Sequence, residues 1–391
     1  MRYLDHAATT PMLGGAIEAV QDELGRLGNP SSLHTAGRQA RRRVEEAREE
    51  LAAALGARPS EVIFTSGGTE ADNLAIKGIS RARVGVDDRR RRLLIGATEH
   101  HAVLDAAKWC QSKEQAEITW LEVDEQGLLA AETLRAAIAD DPDSVALASV
   151  MWANNEIGTL APVAELAAVA HEFDIPFHTD AVQAIGAVPV DFAACGGDAL
   201  ALSGHKFGGP AGVGALLLRR DVACEALLHG GGQERDLRSG TPNVAGVAGM
   251  ARAASIAVND LVQQAARLAQ LRQRLIAGVR DQVPDVVVNG HPSQTLPGVV
   301  SLSFPGCQGD SLLMLLDGQG IACSTGSACD AGVARASHVL LATGVDEVLA
   351  RGSLRFSLGH TSEDADVDAV IATIGAAVER ARRAGITSVL A

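Results

Sequence analysis

Apolar residues recur with helical spacing over residues 36–55, at positions 40, 44, 47, 51 and 54. Steps of four and three along this stretch predict an amphipathic helix with one buried face. Gly56 and Pro59 mark its end. An amphipathic helix is therefore predicted before the first short apolar run.

Seven short apolar runs follow, and helix-like stretches lie between several of them. The runs are residues 61–65, 93–97, 118–123, 145–151, 176–179, 199–203 and 213–218, and the helical stretches lie near 69–79, 100–112, 130–140 and 162–173. Strand and helix alternating at this rhythm predict an α/β fold. We expect a mainly parallel seven-stranded sheet covered on both faces.

The pattern changes near residue 244, where a long helical stretch rich in Ala, Arg and Gln runs to about residue 280. Beyond it, strands are predicted near 286–289, 298–304 and 353–358, and helices near 309–317, 335–342 and 362–384. We therefore predict a large domain over residues 14–255. A smaller α+β C-terminal domain is predicted over residues 256–391, together with residues 1–13.

Composition is that of a folded protein, with 391 residues, 47% apolar and 21% charged. The 48 acidic and 34 basic residues give a net charge of −14, which disfavours nucleic-acid and anionic-membrane binding. The four arginines at 89–92 follow two aspartates and are interpreted as a solvated loop. No apolar run is long enough for a membrane helix, and the first residues lack a signal-peptide core, so we expect a cytoplasmic protein.

Six cysteines are spread thinly along the chain, and no pair has Cys-x-x-Cys spacing. Neither a zinc site nor a disulfide framework is therefore expected, and most cysteines should be buried in a reducing compartment. Cys329 differs because Ser, Thr, Gly and Ala surround it, which predicts an exposed loop. The residues alone leave open whether this thiol is incidental or reactive.

Only four of the basic residues are lysines, namely Lys77, Lys108, Lys113 and Lys206. Lysine can form a Schiff base, whereas arginine cannot. The first three lie in helix-like polar surroundings where a solvated role is the default. Lys206 instead follows a predicted strand and precedes a glycine-rich turn.

Polar segments follow five of the predicted strands. In chain order they are 66–70 (Ser-Gly-Gly-Thr-Glu), 98–101 (Thr-Glu-His-His), 152–158 (Trp-Ala-Asn-Asn-Glu-Ile-Gly), 178–183 (His-Thr-Asp-Ala-Val-Gln) and 203–206 (Ser-Gly-His-Lys). Ligands of open α/β sheets bind beyond the carboxyl ends of the strands. The first segment suits a phosphate at a helix N-terminus but is also an ordinary helix cap, and a histidine such as His100 can likewise be a cap.

Asp180 and Lys206 stand at the ends of two predicted strands, 26 residues apart. Pyridoxal phosphate needs a lysine for its aldehyde, an acid at its ring nitrogen and a cup for its phosphate. Each feature is weak alone. Their joint occurrence at successive strand ends indicates a pyridoxal-phosphate site.

Several segments resemble the cysteine desulfurases, which belong to the class V aminotransferase group of fold-type I pyridoxal-phosphate enzymes. The resemblance rests on residues 4–11, 64–70, 98–103, 154–158, 203–206, 238–241, 326–329 and 354–359, in order and along essentially the whole chain. The stretch around Cys329 is similar to the long-loop branch, in which a mobile loop carries the cysteine.

The resemblance implies a role for each matching residue. The implied catalytic residues are Lys206 (Schiff base), Cys329 (nucleophile) and His100, which stacks on the cofactor ring. The other implied cofactor contacts are Asp180 at the ring nitrogen, Asn155 and Gln183 at the ring oxygen, and Gly68, Thr69, Ser203 and His205 at the phosphate. Thr241 is implied to reach the phosphate of a partner subunit, hence a homodimer, and Arg355, Asn155 and Asn29 to contact the substrate. No metal is expected.

The implied activity is conversion of L-cysteine to L-alanine, with the sulfur passing to Cys329 as a persulfide and then to an acceptor protein. That acceptor would be an iron–sulfur scaffold or a thiolation enzyme. Two residues depart from the family pattern, which has serine at 325 and a hydroxyl residue at 330, where this chain has Thr325 and Asp330. We expect Asp330 to raise the pKa of the neighbouring thiol.

Two other functions stay open at this point. One is a different fold-type I enzyme, such as an aminotransferase or a selenocysteine lyase, in which Cys329 is incidental. The other is a non-catalytic sulfur or iron–sulfur carrier, which would be colourless without metal, whereas a pyridoxal-phosphate enzyme is yellow.

Overall fold

The computed structural model describes residues 1–326 and 336–389, with side chains as far as Arg383. Cys329 and Asp330 lie outside the described residues. The strands of the described part are β1 Arg2–Tyr3, β2 Val62–Thr65, β3 Arg92–Gly96, β4 Glu117–Leu121, β5 Val145–Ser149, β6 Phe177–Asp180, β7 Ala199–Ser203, β8 Gly214–Leu218, β9 Val287–Asn289, β10 Val299–Ser303, β11 Ile321–Ala322 and β12 Ser353–Ser357.

Helices connect most of these strands. The α-helices are α1 Gly14–Leu24, α2 Thr35–Ala54, α3 Gly68–Asn73, α4 Ser80–Val86, α5 His101–Glu114, α6 Ala131–Ala139, α7 Val163–His171, α8 Phe192–Cys195, α9 Val244–Asn259, α10 Leu261–Gln282, α11 Gly309–Asp317, α12 His338–Ala342, α13 Glu347–Arg351 and α14 Asp364–Val389. Short 3₁₀ helices span Pro59–Glu61, Pro142–Ser144 and Gly204–Lys206, and Leu74–Ile79 is a π-helical stretch that joins α3 to α4.

The largest sheet has the strand order β2-β8-β7-β6-β5-β3-β4. The pairs from β7 through β6, β5 and β3 to β4 are parallel, whereas β8 pairs antiparallel with both β7 and β2. The predicted α/β fold with a mainly parallel seven-stranded sheet is therefore confirmed. Parallel strands end at the same edge, so β5, β6 and β7 deliver their following loops to one place.

Both faces of this sheet are buried, as parallel strands require. Leu93 and Ile95 of β3 pack into one core beneath α3 and α5, whereas Leu94 between them packs into the other core with α2 and α7. Neighbouring side chains of a strand point to opposite faces, so an uninterrupted apolar run fills both layers. This is why the strands show no polar alternation in the sequence.

A second sheet, with the order β12-β10-β9, lies under α10 and α14 and has its own core. Phe304 and Phe356 are fully buried there. Leu4 joins the same core from the N-terminal segment, and β1 pairs in parallel with β11. These contacts are compatible with grouping residues 1–13 with the C-terminal part, but the boundaries at 14–255 and 256–391 stay a prediction.

The predicted elements recur with small shifts in their ends, and a few elements are new. The long helix after residue 244 is interrupted at Asp260, which lies between α9 and α10. Helix α1 was not predicted, and it lacks a side-chain cap at its N-terminus. The helix predicted over 69–79 continues as far as Val86 through the π-helical stretch.

Candidate active site

A cavity of about 360 Å³ opens where β5, β6 and β7 end. Most of the residues that the sequence predicted for the site line it, namely Gly68, Thr69, His100, Asn155, Asp180, Gln183, Ser203, His205, Lys206 and Arg355. They come from distant parts of the chain. The carboxyl edge of the large sheet brings most of them together, and Arg355 comes from β12 of the second sheet.

Lys206 ends the 3₁₀ turn after β7, and its amine points toward the N-terminal segment. The Nζ donates hydrogen bonds to the carbonyl oxygens of Ala7, at 2.7 Å, and Ala8, at 2.9 Å. Burial and the positive charge of Arg355 lower the pKa of Lys206 to about 8. An amine with such a pKa is neutral in a substantial fraction near physiological pH, which makes it a usable nucleophile and base.

Asp180 is the last residue of β6 and is 4% exposed. One of its carboxyl oxygens accepts the backbone N–H of Val182 at 2.9 Å. Burial, followed by the nearby carboxyl of Asp72, raises the pKa of Asp180 to about 7. A buried carboxyl in this setting is stabilised as an anion by a cationic partner, and a protonated ring nitrogen would supply one.

One end of the cavity lies at the N-terminus of α3. The first N–H groups of a helix have no partner within it, and Gly68 and Thr69 occupy these positions. An added Cβ on Gly68 would come within 2.8 Å of a methyl carbon of Val182, so the turn has no room for a side chain. Ser203 and His205 face the same end, and the His205 Nδ1 lies 3.2 Å from the Thr9 hydroxyl.

His100 caps helix α5 and lines the cavity at the same time. Its Nδ1 accepts the backbone N–H of Ala102 at 3.1 Å, so the neutral ring carries its hydrogen on Nε2. Burial, and then the charge of Lys206, lowers the pKa of His100 to about 4. The capping and the catalytic interpretations of this histidine therefore do not exclude each other.

Arg355 is held in place on β12 by two partners. Its NH1 donates to the backbone carbonyl of Asn155 and its NH2 to the carboxylate of Asp5, both at 2.9 Å. The Arg355 backbone also pairs with Ser324, just before the part of the chain that carries Cys329. A fixed, buried guanidinium at the cavity wall is suited to a substrate carboxylate.

The N-terminal segment contributes more contacts to the site than its residue types predict. Ala7 and Ala8 of this segment accept hydrogen bonds from Lys206, and Asp5 accepts one from Arg355. The Ala7 carbonyl also accepts a hydrogen bond of 2.8 Å from the amide Nε2 of Gln183. Three of these contacts are made to backbone carbonyl oxygens, which every residue type has, so the sequence could not predict them. The segment 4–11 was part of the family resemblance, and that was the available signal.

Other cavity residues were also missed, namely Asp72, His101, Met151, Glu156 and His338. The buried Glu156 carboxylate accepts the Ser337 hydroxyl at 2.5 Å, and His338 donates its Nε2–H to the Glu99 carbonyl at 2.9 Å. These contacts fix the chain just beyond residue 335.

Three predicted residues are not placed in this cavity. Thr241 and Asn29 are exposed and line no part of it, and Asn29 instead accepts the backbone N–H of Ser31. Cys329 lies outside the described residues. Thr241 is connected to the site indirectly, because Arg238 in the same segment pairs with Glu70 of α3 at 2.8 Å.

The residues present fit pyridoxal phosphate. A buried carboxyl, an amine with a lowered pKa and a helix N-terminus without room for a Cβ lie around one cavity. In the described part of the chain, no group of three His, Cys, Asp or Glu side chains could hold a metal ion. No helix of that part is long and apolar enough to cross a membrane.

Known proteins show the same organisation. The aminotransferase class-V family model matches residues 2–370. An "IscS-like cysteine desulfurase" from Mycobacterium tuberculosis is 59% identical over 389 residues, 99% of each chain. A solved "NifS-like protein" superposes with a TM-score of 0.89 at 36% identity, covering 97% of this chain and all of that one. The structure "SspA in complex with cysteine" has a TM-score of 0.80 at 33% identity, covering 93% and 100%.

Proposed function

The chain belongs to the class V aminotransferase family, among its cysteine desulfurases, and on this premise we propose how its own residues carry out the reaction. L-Cysteine is converted to L-alanine while its sulfur passes to Cys329. The observation that carries the proposal is that Lys206, Asp180 and Arg355 line one cavity with complementary charges.

When bound, pyridoxal phosphate supplies an aldehyde for the substrate amine and a protonated ring that withdraws electrons from Cα. Asp180 would hold that ring nitrogen, and the N-terminus of α3 would hold the phosphate. Arg355 binds the substrate carboxylate through its planar fork. Lys206, released from the carbonyls of Ala7 and Ala8, takes the Cα proton at its Nζ.

His100 contributes a hydrogen-bond donor. Because its Nδ1 is occupied by the Ala102 N–H, only the Nε2–H can face the reacting groups. With a pKa near 4 the ring is neutral at physiological pH, so it donates a hydrogen bond without adding charge. Its proposed role is to orient the bound groups through the hydrogen bond that Nε2–H donates.

Sulfur transfer is assigned to Cys329. Its thiolate attacks the substrate sulfur, an S–S bond forms as the substrate C–S bond breaks, and alanine leaves after protonation of its β-carbon. The enzyme keeps the sulfur as a persulfide, so cysteine plus thiol gives alanine plus persulfide without an added oxidant or reductant. An iron–sulfur scaffold or another thiolation protein then receives the sulfur.

We also propose a homodimer in the cytoplasm. Thr241 is exposed and outside its own cavity, as a residue reaching a partner's cofactor phosphate would be. Leu24 at the end of α1 is 72% exposed, and Leu27 and Leu33, between α1 and α2, are 89% and 87% exposed. Such an apolar surface is typical of a subunit contact. The five described cysteines are free, in keeping with a reducing compartment.

Two measurements test the proposal. The first is the absorption spectrum of the purified protein, which should show the yellow colour of bound pyridoxal phosphate; a colourless protein that binds iron would favour the carrier function. The second is stoichiometric release of alanine with protein-bound persulfide from L-cysteine. Turnover of other amino acids without persulfide would favour an aminotransferase.

A further inference from the structure

Three carboxyl groups are buried close together, and two of them, Asp72 and Asp180, line the cavity. Asp72 and Glu99 are each 1% exposed and Asp180 is 4% exposed. In the described part of the chain, none of the three forms an ion pair with a lysine or an arginine. Isolated buried charges are costly, so three ionised carboxylates cannot be accommodated together here.

Asp72 lies on α3 and faces His178 of β6. Its Oδ1 is 3.5 Å from the His178 Nε2, and neither atom has a hydrogen-bond partner among the described residues. The other ring nitrogen, Nδ1, lies 2.8 Å from the hydroxyl of Ser149, which pairs with His178 across β5 and β6. His178 is fully buried.

Two unpartnered polar atoms that face each other are both satisfied when one hydrogen lies between them. When Nδ1 carries a hydrogen and donates it to Ser149, the shared hydrogen can lie on Nε2, giving a buried ion pair, or on Asp72, giving two neutral groups. When Nδ1 accepts from Ser149 instead, a hydrogen on Nε2 leaves a neutral ring beside an ionised, buried Asp72. Both charged arrangements bear a desolvation cost, at a separation too long for a strong bond. The neutral arrangement has no such cost.

The neighbouring acidic groups also favour a protonated Asp72 beside a neutral His178. Asp180 is two residues from His178 on the same strand, so both side chains lie on one face of the sheet. Glu99 is a third acid beside them, and its Oε1 accepts the backbone N–H of Met151. An ionised Asp72 would repel both, whereas the Lys206 amine can compensate for only one negative charge.

We propose that Asp72 is a positioning residue that stays protonated and shares its hydrogen with His178, so that Asp180 is the one ionised carboxylate at the cofactor ring. This inference rests on the proposed function, because it assigns Asp180 to the ring nitrogen. Burial raises the pKa of Asp72 well above its ordinary range and lowers the pKa of His178 to about 4, in agreement with two neutral groups.

Infrared spectroscopy of the protein without cofactor tests the protonation directly. At neutral pH, the difference between wild type and Asp72→Asn should contain the carbonyl stretch of a protonated carboxylic acid. Asp88→Asn is the control, since Asp88 is exposed and its loss should remove only ionised-carboxylate bands. If Asp72→Asn gives the same ionised bands as Asp88→Asn, Asp72 is charged and the proposal is wrong.

Cofactor binding tests the consequence. Asn is isosteric and neutral and can donate to His178, so Asp72→Asn should keep the cofactor dissociation constant within about threefold of wild type. The pH midpoint of the visible band should also stay unchanged. Asp72→Ala, which leaves His178 without a donor, should weaken binding about tenfold. A midpoint shift above about half a pH unit in Asp72→Asn, or wild-type affinity in Asp72→Ala, would overturn the assignment.

The two proposals fail in different ways. If the protein bound no pyridoxal phosphate, the proposed function would be wrong, whereas the infrared band of Asp72 would still report its protonation. If the enzyme were yellow and active but the infrared band of a protonated Asp72 were missing, only the proposed role of Asp72 would be wrong.

Discussion

The amine of Lys206 lies 2.7 Å from the carbonyl oxygen of Ala7, 199 positions earlier in the chain. Among the described residues, Lys206 has hydrogen bonds to backbone carbonyls and to no carboxylate. Burial therefore lowers its pKa, and no salt bridge in this part of the chain raises it. The N-terminal segment therefore orients the amine and leaves it reactive.

Replacement of Lys206 by Ala should abolish the visible absorption of bound cofactor. After borohydride reduction of the wild-type protein, peptide mapping should find the pyridoxyl group on Lys206. The other lysines are the internal controls: Lys108 and Lys113 are exposed on α5, and Lys77 lies over the Trp109 ring, 4.4 Å from its centre. A modified peptide containing any of these three would refute the assignment.

The rate of cofactor incorporation into the empty protein should depend on pH. Only the neutral amine of Lys206 attacks an aldehyde, so the rate should rise through a midpoint near 8 and level off above it. Arg355→Ala removes a positive charge that lowers this pKa, so its midpoint should move to higher pH. Stopped-flow absorbance measures both profiles, and a wild-type midpoint near the ordinary lysine value of 10.5 would contradict the account.

Loss of the guanidinium at Arg355 should weaken the use of L-cysteine. Each charge-assisted hydrogen bond is worth about 1.5–3 kcal/mol, so Arg355→Ala should lower kcat/KM by at least about tenfold. Arg355→Lys should recover only part of this loss, since an ammonium cannot form the two parallel bonds. Steady-state alanine release measures the effect. An unchanged kcat/KM in both variants would remove Arg355 from the substrate site.

A buried ion pair should matter for stability far from the cavity. Arg48 of α2 donates two hydrogen bonds of 2.8 Å to Glu234, which also accepts the Phe64 N–H of β2 at 3.0 Å. Glu234→Ala removes the buried carboxylate partner of Arg48, which keeps the half-exposed Glu45 and the Val62 carbonyl, and should cost about 3 kcal/mol.

The exposed pair Arg42–Glu46 provides the control for that measurement. Arg42→Ala should change the free energy of unfolding by less than about 1 kcal/mol, because the exposed charges are screened by water. Urea unfolding followed by circular dichroism compares the two variants. Equal losses would show that Arg48 and Glu234 contribute no more than a surface pair.

The sheet could be predicted from the sequence because most of its strands are buried on both faces. Such a strand is a short apolar run, as in β5, where every residue is buried. Elements that depend on distant partners could not be predicted in the same way. The two-residue strand β1 exists because it pairs with β11, more than 300 positions away. Helix α1 has few local signals and is defined by its packing against α9.

The same distinction applies to the site. Asp180 and Lys206 follow predicted strands, so their position at one edge of the sheet was predictable. Asp5 and Asp72 were not predicted, because their importance depends on Arg355 and His178, which lie far along the chain. A single aspartate in a sequence does not reveal its role, because that role depends on a partner that only the folded chain brings close.

The fate of sulfur in a Cys329→Ser variant tests the central claim most directly. The measurement is alanine release and protein-bound persulfide from L-cysteine, for this variant and for the wild type under identical conditions. The account predicts that Cys329→Ser binds pyridoxal phosphate and changes its visible spectrum when cysteine is added, yet forms no persulfide and almost no alanine. Normal turnover by Cys329→Ser would contradict the assignment of Cys329 as the sulfur acceptor.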